Sequence, residues 1–415
     1  PTVPNILVGF HVLDTLMLVL GAILWARIGD EMKWRPASIW VGFVALFASF
    51  ANARHALYYP ALTDSAAFAL GMAMTWGYLA RRPIVLWLCA GIGMVTWPAL
   101  PPIAIAMLLV PRLDGELPQP GEKGTWWIRG GAAAMAIAAT AAFLVLARHY
   151  LHHPVQELGI AKFATWVRRD LLPTTVVTLA LAMSVAWFVI VYQPRLWNVR
   201  AWLRTIRGKR TAIAIAAVVA LFLARKAWLG AVATKGPGPT GEQFLCLQTL
   251  EALRGPLWGI VHHVVYMGPI VAIAIVSWRA VCRVAGTWGH AAGLAFAILI
   301  VFLAGSESRQ WIHLFPLLVA ATIAATDARW TPRRAVVFTA VALAWSKLWL
   351  HIGYDTPGNW QTFPTQRYFM HLGPWASDTA YVWHGIAAIA TAIGLWLLLR
   401  ERRRRTHREA GVSAL

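Results

Sequence analysis

Residues 304–318 read AGSESRQWIHLFPLL, with a carboxylate, a guanidinium and an imidazole set between two long apolar runs. Charge at membrane depth costs several kcal/mol unless it is paired or turned to water, so an ionic group there is a functional hypothesis by default. On a helix, Glu307 and Arg309 point about 200° apart and cannot form a same-face pair. Arg309 and His313 are four residues apart and do share a face. A guanidinium and an imidazole on one face suit a phosphate or pyrophosphate. The plain alternative for Glu307 and Arg309 is that they mark the outer boundary of a span.

Other ionic residues recur at the same boundary. In ARHALYYPALTDSAAFALGMAM (53–74), Asp64 opens an apolar run, with Arg54 close to the same surface. Thr63 or Asp64 suits an N-cap, satisfying free helix N–H groups, and Asp64 is also a candidate catalytic carboxylate. In GFHVLDTLML (9–18), His11 and Asp14 are three apart and can hydrogen-bond along one face of the first span. The neighbours His262 and His263, and likewise His152 and His153, lack zinc-site spacing, so no metal site is read. Asp30 and Glu31 resemble a carboxylate pair, but among the basic residues of GDEMKWRP they read as a solvated turn.

The elements that must position these residues are membrane spans. Of 415 residues 59% are hydrophobic and only 13% charged, against about 25% charged in soluble domains. Apolar runs near 6–25, 38–54, 64–80, 84–97, 99–110, 130–147, 173–194, 211–224, 257–276, 288–304, 310–325, 335–350 and 381–399 predict an all-α, polytopic transmembrane helical bundle of about 13 spans. The runs 84–97 and 99–110 are short enough for a broken or re-entrant pair. A net charge of +20 would suggest nucleic acid in a soluble protein. Here 25 of the 37 lysines and arginines flank one side of the spans, ending in RERRRRTHRE at 400–409, so the charge orients the bundle and no nucleic-acid partner is implied.

That bias places the C-terminus in the cytoplasm and, with an odd span count, Pro1 outside. The domain picture is a helical membrane domain over 1–400 with external loops 148–172, 225–256 and 351–380, then a basic cytoplasmic tail over 401–415. Within the first loop, KFATWVRRDLL (162–172) alternates apolar and basic residues at helical spacing, predicting an amphipathic helix on the outer membrane surface. ATKGPGPTGEQ (233–243) reads as a flexible loop. Cys89, Cys246 and Cys282 are scattered, implying no disulfide framework. Neither a cleavable signal peptide nor an inverted repeat is evident. The chain opens on Pro rather than Met, so an upstream segment is expected.

With these motifs in hand, the chain resembles the GT-C class of polytopic glycosyltransferases. AGSESRQWIHLFPLL is similar to that class's late-span Glu-x-Arg ahead of an apolar run ending in Pro, matched by Glu307, Arg309 and Pro316. Residues 58–108 resemble its Asp-initiated helix followed by a basic turn, matched by Asp64, Arg81 and Arg82. Thr96-Trp97-Pro98 stands where the class often has Arg-Glu. The resemblance implies a mannosyltransferase-like, multi-pass protein of the bacterial inner membrane, using a polyprenyl-phosphate-linked sugar donor at the external face. It implies no organic cofactor and leaves a divalent cation open. The class carries its main catalytic carboxylate in a first external loop, which here would precede Pro1. Developing charge on the lipid phosphate needs fixed cations, for which Arg309, Arg254, Arg168, Arg169 and Arg367 are the external candidates, with His313, Arg54 and Asp14 as further binding residues. Asp64, Glu307 or Asp355 would orient or deprotonate an acceptor, and Trp360, Tyr368 and Trp375 would either stack on sugar or form an interfacial aromatic belt. A transporter or flippase of a lipid-linked or anionic substrate, and a non-catalytic subunit with membrane-protein partners, are the competing expectations.

Overall fold

Apolar runs bounded by proline, glycine or a basic turn become helices, and the protein uses no other regular element. The computed structural model describes residues 3–55, 63–110, 112, 126–155, 164–193, 208–232, 241–349 and 376–400. Among the described residues there are sixteen α-helices and no strand. In chain order they are α1 (Val3–Met32), α2 (Pro36–Phe47), α3 (Asp64–Leu79), α4 (Pro83–Thr96), α5 (Leu100–Leu109), α6 (Trp126–His152), α7 (Leu172–Val191), α8 (Gly208–Val232), α9 (Gly241–Ala252), α10 (Trp258–Met267), α11 (Ile270–Val276), α12 (Trp278–Trp288), α13 (His290–Ala304), α14 (Phe315–Thr326), α15 (Pro332–Ser346) and α16 (Asp378–Leu399). A π-helical turn follows α2 at Ala51–His55, and a 3-10 turn, Ser308–Trp311, precedes α14.

Local chemistry sets the boundaries. Proline occupies the first turn of α2, α4, α5, α7, α14 and α15, where its missing N–H is no loss. Thr331 and Ser377 cap α15 and α16, their hydroxyls accepting from Arg334 N at 3.3 Å and Ala380 N at 3.1 Å. Gly268, at φ +86°, separates α10 from α11, a left-handed position that favours glycine.

Packing sorts the helices into a rim and a centre. In α14, ten of twelve residues are buried, as expected of a helix apolar on every side. By contrast α1, α6, α7, α8 and α16 turn long apolar faces outward, with Ile137, Val145, Val177, Leu181 and Ile389 all more than half exposed. Such surface is untenable in water and natural against lipid. Among the described residues these five helices are long and apolar enough to cross a membrane, and α11–α12, bent by 88°, would make a sixth as a broken span. The expected spans therefore all appear as helices, but several fall short of a full crossing: α2, α4, α5 and α13 have only 10–17 residues. The break at Trp97-Pro98 falls between the expected runs 84–97 and 99–110, whereas the one at Gly268-Pro269 divides the expected run 257–276.

Two amphipathic segments differ from expectation. Over 164–171 the chain leaves helical geometry after Thr165 and runs through turns to α7. There the Arg168 guanidinium closes on Asp170, two residues ahead, at 2.7 Å, a pairing an α-helix would hold apart. A strongly amphipathic helix appears instead at α12, the second half of that bent pair, in the expected cytoplasmic segment 277–287. It buries Val281, Cys282 and Ala285 and exposes Arg279 and Arg283, four residues apart.

Candidate functional site

Most of the ionic residues singled out in the sequence meet at one end of the bundle. Asp64 is the first residue of α3, yet neither it nor Thr63 makes a side-chain cap. Its carboxylate accepts from Arg309 instead, Oδ1 from Nε at 3.1 Å and Oδ2 from Nη2 at 3.0 Å. This two-pronged pair is buried, the aspartate side chain being 5% exposed and the arginine 22%. The 3-10 turn Ser308–Trp311 aims Arg309 at α3 and also separates it from His313. The imidazole Nδ1 accepts from Trp97 Nε1 at 2.9 Å, and the His313 backbone lies against Gly71, where a Cβ would collide with it. Arg309 and His313 thus do not form the shared anion-binding face their spacing suggested. Tyr266 sits within electrostatic range of Asp64, Arg309 and Glu307.

Behind Asp64 lies Asp14 on α1, buried beside Ser65 and within range of His11 and Asp64. Its Oδ2 has no partner among the described residues. Arg54 stands further off and donates to the Leu348 carbonyl at 3.0 Å. Arg169 is exposed in the turn before α7. Arg367, Asp355, Trp360, Tyr368 and Trp375 lie outside the described residues.

Sequence reasoning missed the residue that organises the site, Glu251. In GEQFLCLQTLEALRG, Gln248, Glu251 and Arg254 recur every three residues, a polar spacing that runs to the end of the helix and just past it, and that was the available signal. Glu251 Oε2 accepts from Ser306 N at 2.9 Å, Ser306 Oγ at 3.0 Å and Glu307 N at 3.0 Å. Burial, reinforced by the nearby charge of Glu307, pushes its carboxyl up to about 8 despite these three donors. Glu307 accepts from Gln310 Nε2 at 2.9 Å and is itself raised, by burial above all. Next to them, His263 Nδ1 lies 2.8 Å from Ser308 Oγ and 3.2 Å from Trp311 Nε1.

Arg254 follows one turn after Glu251. Its Nη2 donates to the Ala376 carbonyl at 2.7 Å and lies 3.7 Å from Asp378 Oδ1, while the guanidinium rests 4.2 Å over Trp258 and 5.3 Å over Trp166. Arg168 joins the same network at the surface, 2.9 Å from Asp378 Oδ2. Trp258 in turn stacks on Tyr381 at 4.5 Å, and His262 packs on both rings.

Below this polar end runs an apolar groove of about 400 Å³ walled by α7, α10, α11 and α13. Ala252, Trp258, Gly259 and Ala304 form the end of the groove nearest the charges: Ala252 adjoins Glu251, Ala304 adjoins Gly305, Gly259 lies against the Gly305 carbonyl, and Trp258 carries the Arg254 contact. The arrangement offers buried carboxylates able to hold or take a proton, guanidinium groups for an anion, and a greasy trough leading to both. Among the described residues, no group of three or more His, Cys, Asp or Glu is arranged to hold a metal ion. No family model, curated protein or solved structure matches the chain.

Proposed function

We propose that this helical membrane protein is a GT-C-like glycosyltransferase of about 13 spans, moving a sugar from a lipid-phosphate-linked donor to an acceptor at the external face. The observation that carries the reading is the junction of the apolar groove with Arg254 and the carboxylates at its end. A trough of that kind suits an amphiphile with a long hydrocarbon tail and an anionic head. In the transfer, the bond from the sugar's anomeric carbon to phosphate oxygen breaks and a bond to the acceptor oxygen forms. Arg254 meets the charge growing on the departing phosphate. Glu307, whose affinity for protons burial raises, takes the acceptor's hydroxyl proton. The Asp64–Arg309 pair holds the 305–311 segment in place for both.

The test uses the purified chain, a panel of radiolabelled polyprenyl-phosphate hexoses, and a membrane extract as acceptor source. Arg254→Ala and Glu307→Gln are each expected to lower transfer at least ~10²-fold with the protein still folded. Ala182→Trp, which fills the groove from α7, is expected to raise KM for the lipid donor while leaving kcat nearly unchanged. Transfer that is indifferent to all three changes would refute the proposal.

The line of buried ionic groups from Asp14 through Asp64 and Arg309 to Glu307 and Glu251 favours a second reading, a flippase for a lipid-linked anion. Movement of the lipid across proteoliposomes without any transfer of its sugar would select it.

A further inference from the structure

Helix α13 ends in an unusual electrostatic situation. The last four carbonyls of any helix lack intrahelical partners and carry the negative end of its dipole. Here the end at Ala304 is enclosed, and among the described residues no backbone N–H from outside the helix is donated to the carbonyls of 301–305. Leu303, Ala304 and Gly305 turn these oxygens toward Gly259 of α10, where a Cβ would strike all three. His263, one turn along α10, lies against the carbonyls of Phe302, Leu303 and Gly305.

Against this negative end the fold sets carboxylates rather than a cation. Glu251 is 2% exposed, and while Oε2 takes three donors, Oε1 takes none. Gln248, one turn earlier on α9 and 4% exposed, presses its amide on Gly305, with neither its oxygen nor its nitrogen hydrogen-bonded. Arg309 is committed to Asp64, and Arg254 to Ala376 and Asp378. Burial leaves Glu251 Oε1 and the Gln248 side-chain oxygen desolvated and unanswered, which is costly, above all for a charged oxygen.

We propose that this crevice is a sodium site, with Glu251 Oε1, the Gln248 side-chain oxygen and the end carbonyls of α13 as its donors. One carboxylate oxygen among neutral oxygens balances a single positive charge, whereas Ca²⁺ usually draws several acidic ligands. Gly259 lets the end carbonyls of α13, and Gly305 the Gln248 amide, approach this closely. Sodium and a proton compete for the same oxygen of Glu251. Glu307 and Ser306 from the 305–311 segment, His263 from α10 and Arg254 from its own chain end face that carboxylate. From α6, Tyr150 stands by Glu242 and Cys246 instead.

The proposal stands whether or not the protein transfers a sugar, and the protein purified in detergent suffices to test it. Thermal unfolding in NaCl, KCl and choline chloride at equal ionic strength is expected to show a sodium-specific rise in Tm. Binding of ²²Na⁺ is expected at one ion per chain, weakened at least ~10-fold in Glu251→Gln. If that variant does not fold, Gln248→Leu decides, since it keeps the carboxylate and removes a neutral donor. Equal Tm in all three salts, or sodium binding unchanged in the variant that folds, overturns the site. So does a Tm that follows pH with no response to sodium, which would identify a proton as the occupant.

Discussion

At the scale of single residues, the Asp64–Arg309 pair and Glu251 make opposite predictions about charge. Arg309→Ala strands a carboxylate that is 5% exposed, and breaking one side of a buried pair typically costs about 3–5 kcal/mol. The double variant Asp64→Asn, Arg309→Gln, which removes both charges and keeps hydrogen-bonding groups, is expected to recover most of that loss. Unfolding free energies of the wild type, both single variants and the double variant measure the coupling, and additive losses would mean that the two side chains do not depend on each other. Glu251 works the other way. Its proton is held up to about 8 in the fold but released near 4.5 in the unfolded chain. Its contribution is therefore complete below pH 4.5 and declines as pH rises toward 8. In sodium-free buffer, Tm is expected to fall across that window, and Glu251→Gln is expected to flatten the decline.

At the scale of elements, what could be read in advance was whatever a membrane forces on composition. The apolar segments are helices close to their expected bounds, as with 64–80 against α3 and 381–399 against α16, because lipid requires continuous hydrophobic runs with internally satisfied backbones. Asp64 and Arg309 were also visible, each an ionic residue at the edge of such a run. Their partnership was not, since it depends on a 3-10 turn that breaks the helical spacing between Arg309 and His313. Helix α9 was hidden for a related reason: its start lies in a Gly/Pro-rich stretch, and Glu251 becomes unusual only when α13 is packed on it. Close backbone approaches are equally illegible, because a glycine's neighbour across the bundle leaves no local mark. Gly71 is the clearest case, with the His313 backbone where a Cβ would go. Backbone at a helix start cannot yield as a flexible side chain does, so Gly71→Ala is expected to destabilise by about 1–3 kcal/mol, read as a drop in the denaturation midpoint. Gly91, which has open space around it, serves as the matched control and should tolerate alanine.

At the scale of the whole molecule, the fold has two chemically distinct ends. One collects Asp64, Glu251, Arg254, Glu307 and Arg309, while the other joins α2 to the end of α14 through Arg35, whose backbone N–H donates to Asp327 Oδ1 at 3.0 Å. The excess of lysine and arginine on the Asp327 side predicts that this end faces the cytoplasm and that the ionic site opens outward. The orientation is measurable with little background, because Cys89, Cys246 and Cys282 are all buried. Cysteines introduced at two exposed arginines, Arg169 beside α7 and Arg333 in the first turn of α15, report on opposite ends. A membrane-impermeant maleimide added to sealed membranes of the native orientation is expected to label Arg169→Cys at once and Arg333→Cys only after the membrane is opened. The reverse pattern would turn the site toward the cytoplasm. The donor and acceptor proposed above would then have to be sought on the other leaflet, and the lysine and arginine excess would lie on the side away from anionic cytoplasmic lipid.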